Sequence, residues 1–311
     1  MKSSEIIVFL ILLSIISQKT FSQNKLQSTL DNYMVSLREP QKTQATPEIL
    51  YKNNQPELIL EELHNYYNDT LPKVRSKAYY LTYRIGKENS RVTGRAIEML
   101  CGGLKDKNSG IVGTVMDYLK EFHSNKFTQQ AKDTISILVN RGTPHYKKII
   151  KIAGFLNLEN TKHLFRRKLQ MRDYNSSGER WAILLALSRM GDQDAIDFCL
   201  KIAKKMETGD DFVYEIAPGF VYTREKKLID YLISLLYSNE KNCYSSNPES
   251  NKKIHCGYRI MEYLAPITKD FPLQADIAGE IKTDDYKKAL EITRKWFDTH
   301  KKDYKLNTHT F

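Results

Sequence analysis

Glycine and proline are sparse in this 311-residue chain, at 14 and 9 residues, and they fall mainly between periodic segments rather than inside them. Strand-like alternation is almost absent as well, which excludes folds built on sheets. The seven histidines form no HExxH or other recognised metal pair, and no GxSxG, Walker or GxGxxG loop is present. The zinc-hydrolase, serine-hydrolase and nucleotide-binding readings that rest on those spacings therefore have no support. Long apolar runs are missing too, with one exception at the start of the chain.

That exception is MKSSEIIVFLILLSIISQKTFSQ, in which an early lysine precedes an apolar run from Ile6 to Leu13 that continues through Ile15 and Ile16. A membrane span needs about 20 apolar residues, and this run is shorter. Its layout is that of a secretory signal peptide. Thr20 and Ser22 place small residues at the two recognition positions of a signal peptidase, so residues 1–22 are expected to be removed, with Gln23 as the new N-terminus. With no cysteine at that junction, lipid attachment is not expected, and the mature protein is expected in the periplasm or outside the cell. It would keep 289 residues, enough for one large domain or a repeat array. The formal charge is +11 for the whole chain, so the mature protein is basic.

An oxidising destination decides how the four cysteines read. Cys101 in AIEMLCGGL and Cys199 in AIDFCLKIA lie among apolar residues at helical spacing and are expected as buried thiols. Cys243 and Cys256 bound the polar stretch CYSSNPESNKKIHC, whose only other nitrogen or sulfur metal ligand is His255. A zinc site needs more ligands than that, and a redox pair is more often spaced CxxC. The pair is expected to be a disulfide that staples a loop.

What the chain does contain is helical periodicity that repeats. VRSKAYYLTYRIG from Val74 aligns with IVGTVMDYLKEFH from Ile111, YKKIIKIAGFLNL from Tyr146 and ERWAILLALSRMG from Glu179, at offsets of 37, 35 and 33. Ala78, Val115, Ile150 and Ile183 then coincide, and three residues on so do Leu81, Tyr118, Ala153 and Ala186. Both columns fall on one helical face. Each segment is followed by a break and a second amphipathic helix, and pairs this small must stack to bury their apolar faces. The chain resembles HEAT-type repeats on LPKVRSKAYYLTYRIG and on GERWAILLALSRMGDQDAIDFCLKIA, over Leu71 to about Met206. The fold expected is all-α, a right-handed α-α solenoid of about six stacked helix pairs. Its segments are capping helices over 23–70, four HEAT-like pairs over 71–207, and further pairs with the stapled loop over 208–311.

Residues 141–172 hold Arg141, Lys147, Lys148, Lys151, Lys162, Arg166, Arg167, Lys168 and Arg172 against one acid, Glu159, a local +8. On the helix from Glu159, the apolar Leu164, Phe165 and Leu169 set the buried side and leave Lys162, His163, Arg166, Arg167 and Gln170 outward. Second helices of HEAT-like stacks line the concave surface, so the resemblance places this stripe in a groove, extended by Lys201, Lys204 and Lys205. Such a stripe is first of all an ordinary solvated face, and as a binding surface it suits an anionic glycan, a lipid headgroup or an acidic protein surface. Nucleic acid is not expected as a partner of an exported protein.

Two further features bear on function. The 19 tyrosines, paired as Tyr66-Tyr67 and Tyr79-Tyr80, suit packing between helices better than sugar stacking. In GDDFVYE, Asp210, Asp211 and Glu215 lack the spacing of a calcium loop, and Asp210 or Asp211 is expected to cap a helix. The function expected is non-catalytic binding or scaffolding by a monomer, with no cofactor and no metal. The alternative is a glycan lyase or glycosidase on an α/α toroid.

Overall fold

A computed structural model describes residues 23–39, 45–171, 177–245, 251–276 and 280–311. The expected signal peptide and Arg172 lie outside the described residues. The protein is all-α. Residues 23–36 form α1, and after a short 3-10 turn come α2 (Pro56–Glu62) and α3 (Pro72–Glu88). Then follow α4 (Thr93–Gly103), α5 (Ser109–Lys120), α6 (Gln129–Arg141), α7 (Tyr146–Phe155), α8 (Glu159–Gln170), α9 (Ser177–Arg189) and α10 (Gln193–Ala203). The remaining helices are α11 (Ala217–Thr223), α12 (Lys226–Leu235), α13 (Gly257–Leu264) and α14 (Tyr286–His300).

The described residues form two compact units, one reaching Phe122 and including Lys126–Thr134, the other holding His123–Asn125 and Ile135–Phe311. In the first, α3 begins on Pro72, where a missing N–H costs nothing. It buries Val74, Ala78, Leu81 and Ile85 completely. Those spacings of four, three and four make one stripe, which packs on α2, α4 and α5. Leu30 and Met34 of α1 are also fully buried in this core. In the second unit each helix meets the next, the next but one, or both: α7 and α8 pack on α9, α9 on α10 and α11, α10 and α11 on α12, and α13 on α14. Ala78, Val115, Ile150 and Ile183 are each fully buried, and so are Leu81, Ala153 and Ala186. Tyr118 departs from its column because its ring is only half-buried, stacked on Tyr83 at 4.6 Å.

The turns within successive pairs repeat as well as the helices. After α7, Asn157 takes φ +50, with Leu158 N bonded to Ala153 O and Asn157 N to Gly154 O. After α9, Gly191 takes φ +77, with Asp192 N bonded to Leu187 O and Gly191 N to Ser188 O. Both are left-handed C-terminal turns that satisfy the last helix carbonyls. After α11 the same position is Arg224, at φ +54.

One local expectation needs correction, and two features beside it were not expected. The FVYEI segment ahead of Pro218 is not a helix that stops at the proline. Phe212–Ile216 instead winds as a π-helix and continues through Pro218 into α11. Proline has no N–H to donate to the carbonyl one turn back, and a widened turn accommodates that loss. Neither aspartate caps this helix: Asp211 makes no capping bond, and the Asp210 carboxylate accepts from Tyr244 N at 3.2 Å. The stapled loop also carries a small antiparallel pairing of Cys243–Tyr244 with Lys253–Ile254. There Cys243 and Cys256 have Cα atoms 5.1 Å apart and sulfurs at bonding distance. Cys101 and Cys199 are free and buried. Burial pushes their thiols up, to about 12 and about 11.

Candidate functional site: a groove beside the basic helix

The α9–α10 turn builds one wall of a groove. Gly191 reverses the chain, and this delivers Asp192 to the N-cap of α10, where its Oδ1 accepts from Ala195 N at 3.1 Å. Its other oxygen accepts from Arg166 Nε of α8 at 2.8 Å. Asp192 is buried while the Arg166 side chain remains 61 % exposed. One carboxylate thus starts α10 and holds it to α8. On the other side, Arg180 of α9 donates from Nη2 to Leu169 O at 3.0 Å, near the end of α8.

Between these contacts lies a groove of about 390 Å³. Leu169, Leu184 and Leu187 give it an aliphatic floor, and Phe198 of α10 forms a wall with 49 % of its surface exposed. Arg166, Arg180, Asp192 and Asp194 are also in the lining, so among the described residues its charges balance and no tyrosine lines it. Asp194, Phe198 and Lys201 follow one another at spacings of four and three and therefore share a face of α10.

Of the residues expected to form a binding stripe, Arg166 reaches the groove and is tied to Asp192. Lys162 pairs with Glu159 at 2.8 Å on its own helix. His163 and Arg167 are exposed on α8, and Lys201, Lys204 and Lys205 are exposed at the end of α10, outside the groove lining. Elsewhere in the +8 segment, the Lys168 ammonium lies 5.0 Å over the Tyr146 ring and that of Lys151 lies 5.5 Å over Tyr222. On the buried side of α8 only Phe165 and Thr161 are sealed, and Leu164 and Leu169 are half-buried.

Sequence reasoning missed the apolar half of this site. Phe198 belongs to no motif, and only its spacing from Asp194 and Lys201, which puts it on the polar side of its helix, could have marked it. The tyrosines act mainly in packing: Tyr67 stacks on Tyr79 at 4.7 Å and bonds Thr82, and Tyr66 donates to Asp31 at 2.6 Å. Among the described residues no three His, Cys, Asp or Glu side chains converge as metal ligands, and no helix is long and apolar enough to cross a membrane. The chain matches no family model, and no curated protein is significantly similar to it.

Proposed function

We propose that this is an exported, non-catalytic binding or scaffold protein that takes an acidic protein surface into the α8–α10 groove. In this reading the units are built as a right-handed, HEAT-like α-α solenoid of about six pairs. The packing of each helix on its near neighbours and the recurring left-handed turns at 157, 191 and 224 support it. Export rests on the opening apolar run and on the Cys243–Cys256 bond, which suits an oxidising compartment.

The observation that carries the binding reading is the half-exposed Phe198 against a leucine floor, with basic side chains further along both flanking helices. An exposed aromatic beside an apolar depression is the kind of anchor on which binding energy concentrates. A glycan or a lipid headgroup would engage the cations and leave that floor wet. An acidic protein segment would fill the groove with an apolar side chain and set its carboxylates against Lys162, His163 and Arg167 at one side and Lys201, Lys204 and Lys205 at the other.

The test is affinity capture from native envelope extract or culture fluid, comparing the wild type with Phe198→Ala and with Arg167→Glu/Lys201→Glu by quantitative mass spectrometry. A common partner retained by the wild type and lost about tenfold or more from both variants supports the reading. Retention indifferent to Phe198→Ala overturns it. If Arg167→Glu/Lys201→Glu alone weakens retention, and heparin binding falls in parallel, the site is a polyanion stripe instead.

A further inference from the structure

A second constellation lies at the C-terminal ends of α7, α9 and α11. Phe155, Arg189 and Tyr222 occupy equivalent places there, each two residues before the left-handed turn position. The Arg189 guanidinium sits 4.9 Å from both the Phe155 and the Tyr222 ring centroids. It donates to Tyr222 O, to Thr308 O at 3.1 Å and to Thr310 O at 2.6 Å. Arg224 donates to Asn307 O at 3.1 Å, to Phe311 O at 2.7 Å, to the Thr310 hydroxyl and to Val221 O. The Phe311 ring packs against Phe155 at 5.5 Å and Tyr222 at 5.2 Å. Ser124 N donates to His309 O, and Asn307 N to Ile267 O.

Residues 305–311 are therefore gripped as a peptide ligand is gripped: main-chain carbonyls supply the hydrogen bonds and one aromatic ring fills a pocket. Both arginines are largely withdrawn from water, where a cation needs its donors satisfied, and the segment supplies most of their acceptors. Burial pushes Arg189 down to about 10, and burial with repulsion from Arg189 pushes Arg224 down to about 9. Arg224 also holds a left-handed backbone that its sister turns give to Asn157 and Gly191. An arginine where asparagine or glycine serves the fold better marks a side chain kept for what it binds.

We propose that the Arg189–Arg224 cleft is a peptide-recognition site for a short turn-forming segment that carries an aromatic side chain, and that residues 305–311 fill it as an internal ligand. This does not depend on the α8–α10 groove. A tethered ligand works at a high effective concentration, commonly in the millimolar range, so an outside peptide competes only once the tether is cut.

The experiment inserts a site-specific protease sequence between Lys302 and Asp303 of the full chain and cleaves the folded protein. Fluorescein-labelled KLNTHTF is then added and followed by anisotropy. Saturable binding is expected, weakened about tenfold or more when the peptide's phenylalanine is replaced by alanine. Arg224→Gly suits the left-handed turn and should keep the melting temperature while losing at least tenfold in peptide affinity. The proposal is overturned if the nicked protein retains its own segment and takes up no probe, if a scrambled peptide binds equally, or if Arg224→Gly binds as the wild type does.

Discussion

Arg75 and Asp106 form an ion pair in which each side chain is only 3 % exposed. Asp106 accepts from Arg75 Nε at 2.8 Å, from Arg75 Nη2 at 2.9 Å and from Asn108 N at 2.8 Å. The third Arg75 nitrogen donates to Asp69 O and Thr70 O. Burial raises the Asp106 carboxyl, but the Arg75 bonds, the Asn108 N–H and nearby positive charge outweigh it and hold the group below the usual carboxylate range. Asp106→Ala strands a buried guanidinium and should lower stability by about 3–5 kcal/mol in urea unfolding. A group whose carboxyl is depressed on folding contributes fully above its unfolded value of about 3.9, and that contribution disappears as pH falls through the lower folded value. The gap between wild type and Asp106→Ala should therefore narrow in acid below about pH 4. A gap that stays constant to pH 2 would remove the ion pair from the account.

Between elements, α7 and α9 approach closely, and Gly154 permits it. A Cβ at Gly154 would lie 2.7 Å from Ala186 Cα and 2.5 Å from the Tyr222 hydroxyl, which itself donates to Lys151 O. Gly154→Ala should cost about 1–3 kcal/mol because backbone cannot yield as a flexible side chain can. Gly102 near the end of α4 meets nothing within 4 Å, so Gly102→Ala should stabilise by about 0.5–1 kcal/mol through chain entropy. Equal effects of the two substitutions on the thermal midpoint would refute the packing argument. The Cys243–Cys256 bond acts at the same scale. Replacing both by serine should cost about 2–4 kcal/mol. Hydrogen exchange should quicken in α12 and α13 and stay unchanged in α3–α5, since helix pairs depend mainly on their neighbours.

At the scale of the whole molecule, export is checked by N-terminal sequencing of protein recovered outside the cytoplasm, which should begin at Gln23. A chain that begins at Met1 and sediments with membranes would show an uncleaved anchor instead. Sequence alone determined the all-α class, most helix positions, the buried register of Ala78, Val115, Ile150 and Ile183, and the pairing of Cys243 with Cys256. These follow from periodicity and from the chemistry of a few residue types, and both are local in the chain. Only tertiary structure decided that Arg166 belongs to Asp192, that Phe198 stands open above a leucine floor, and that residues 305–311 return to Arg189 and Arg224. Each of those features joins residues 26 to 121 positions apart or depends on which neighbours leave a side chain uncovered. The spacing that fixes a helix face repeats every few residues, whereas a cation's partner is set by which turns the packed helices bring together.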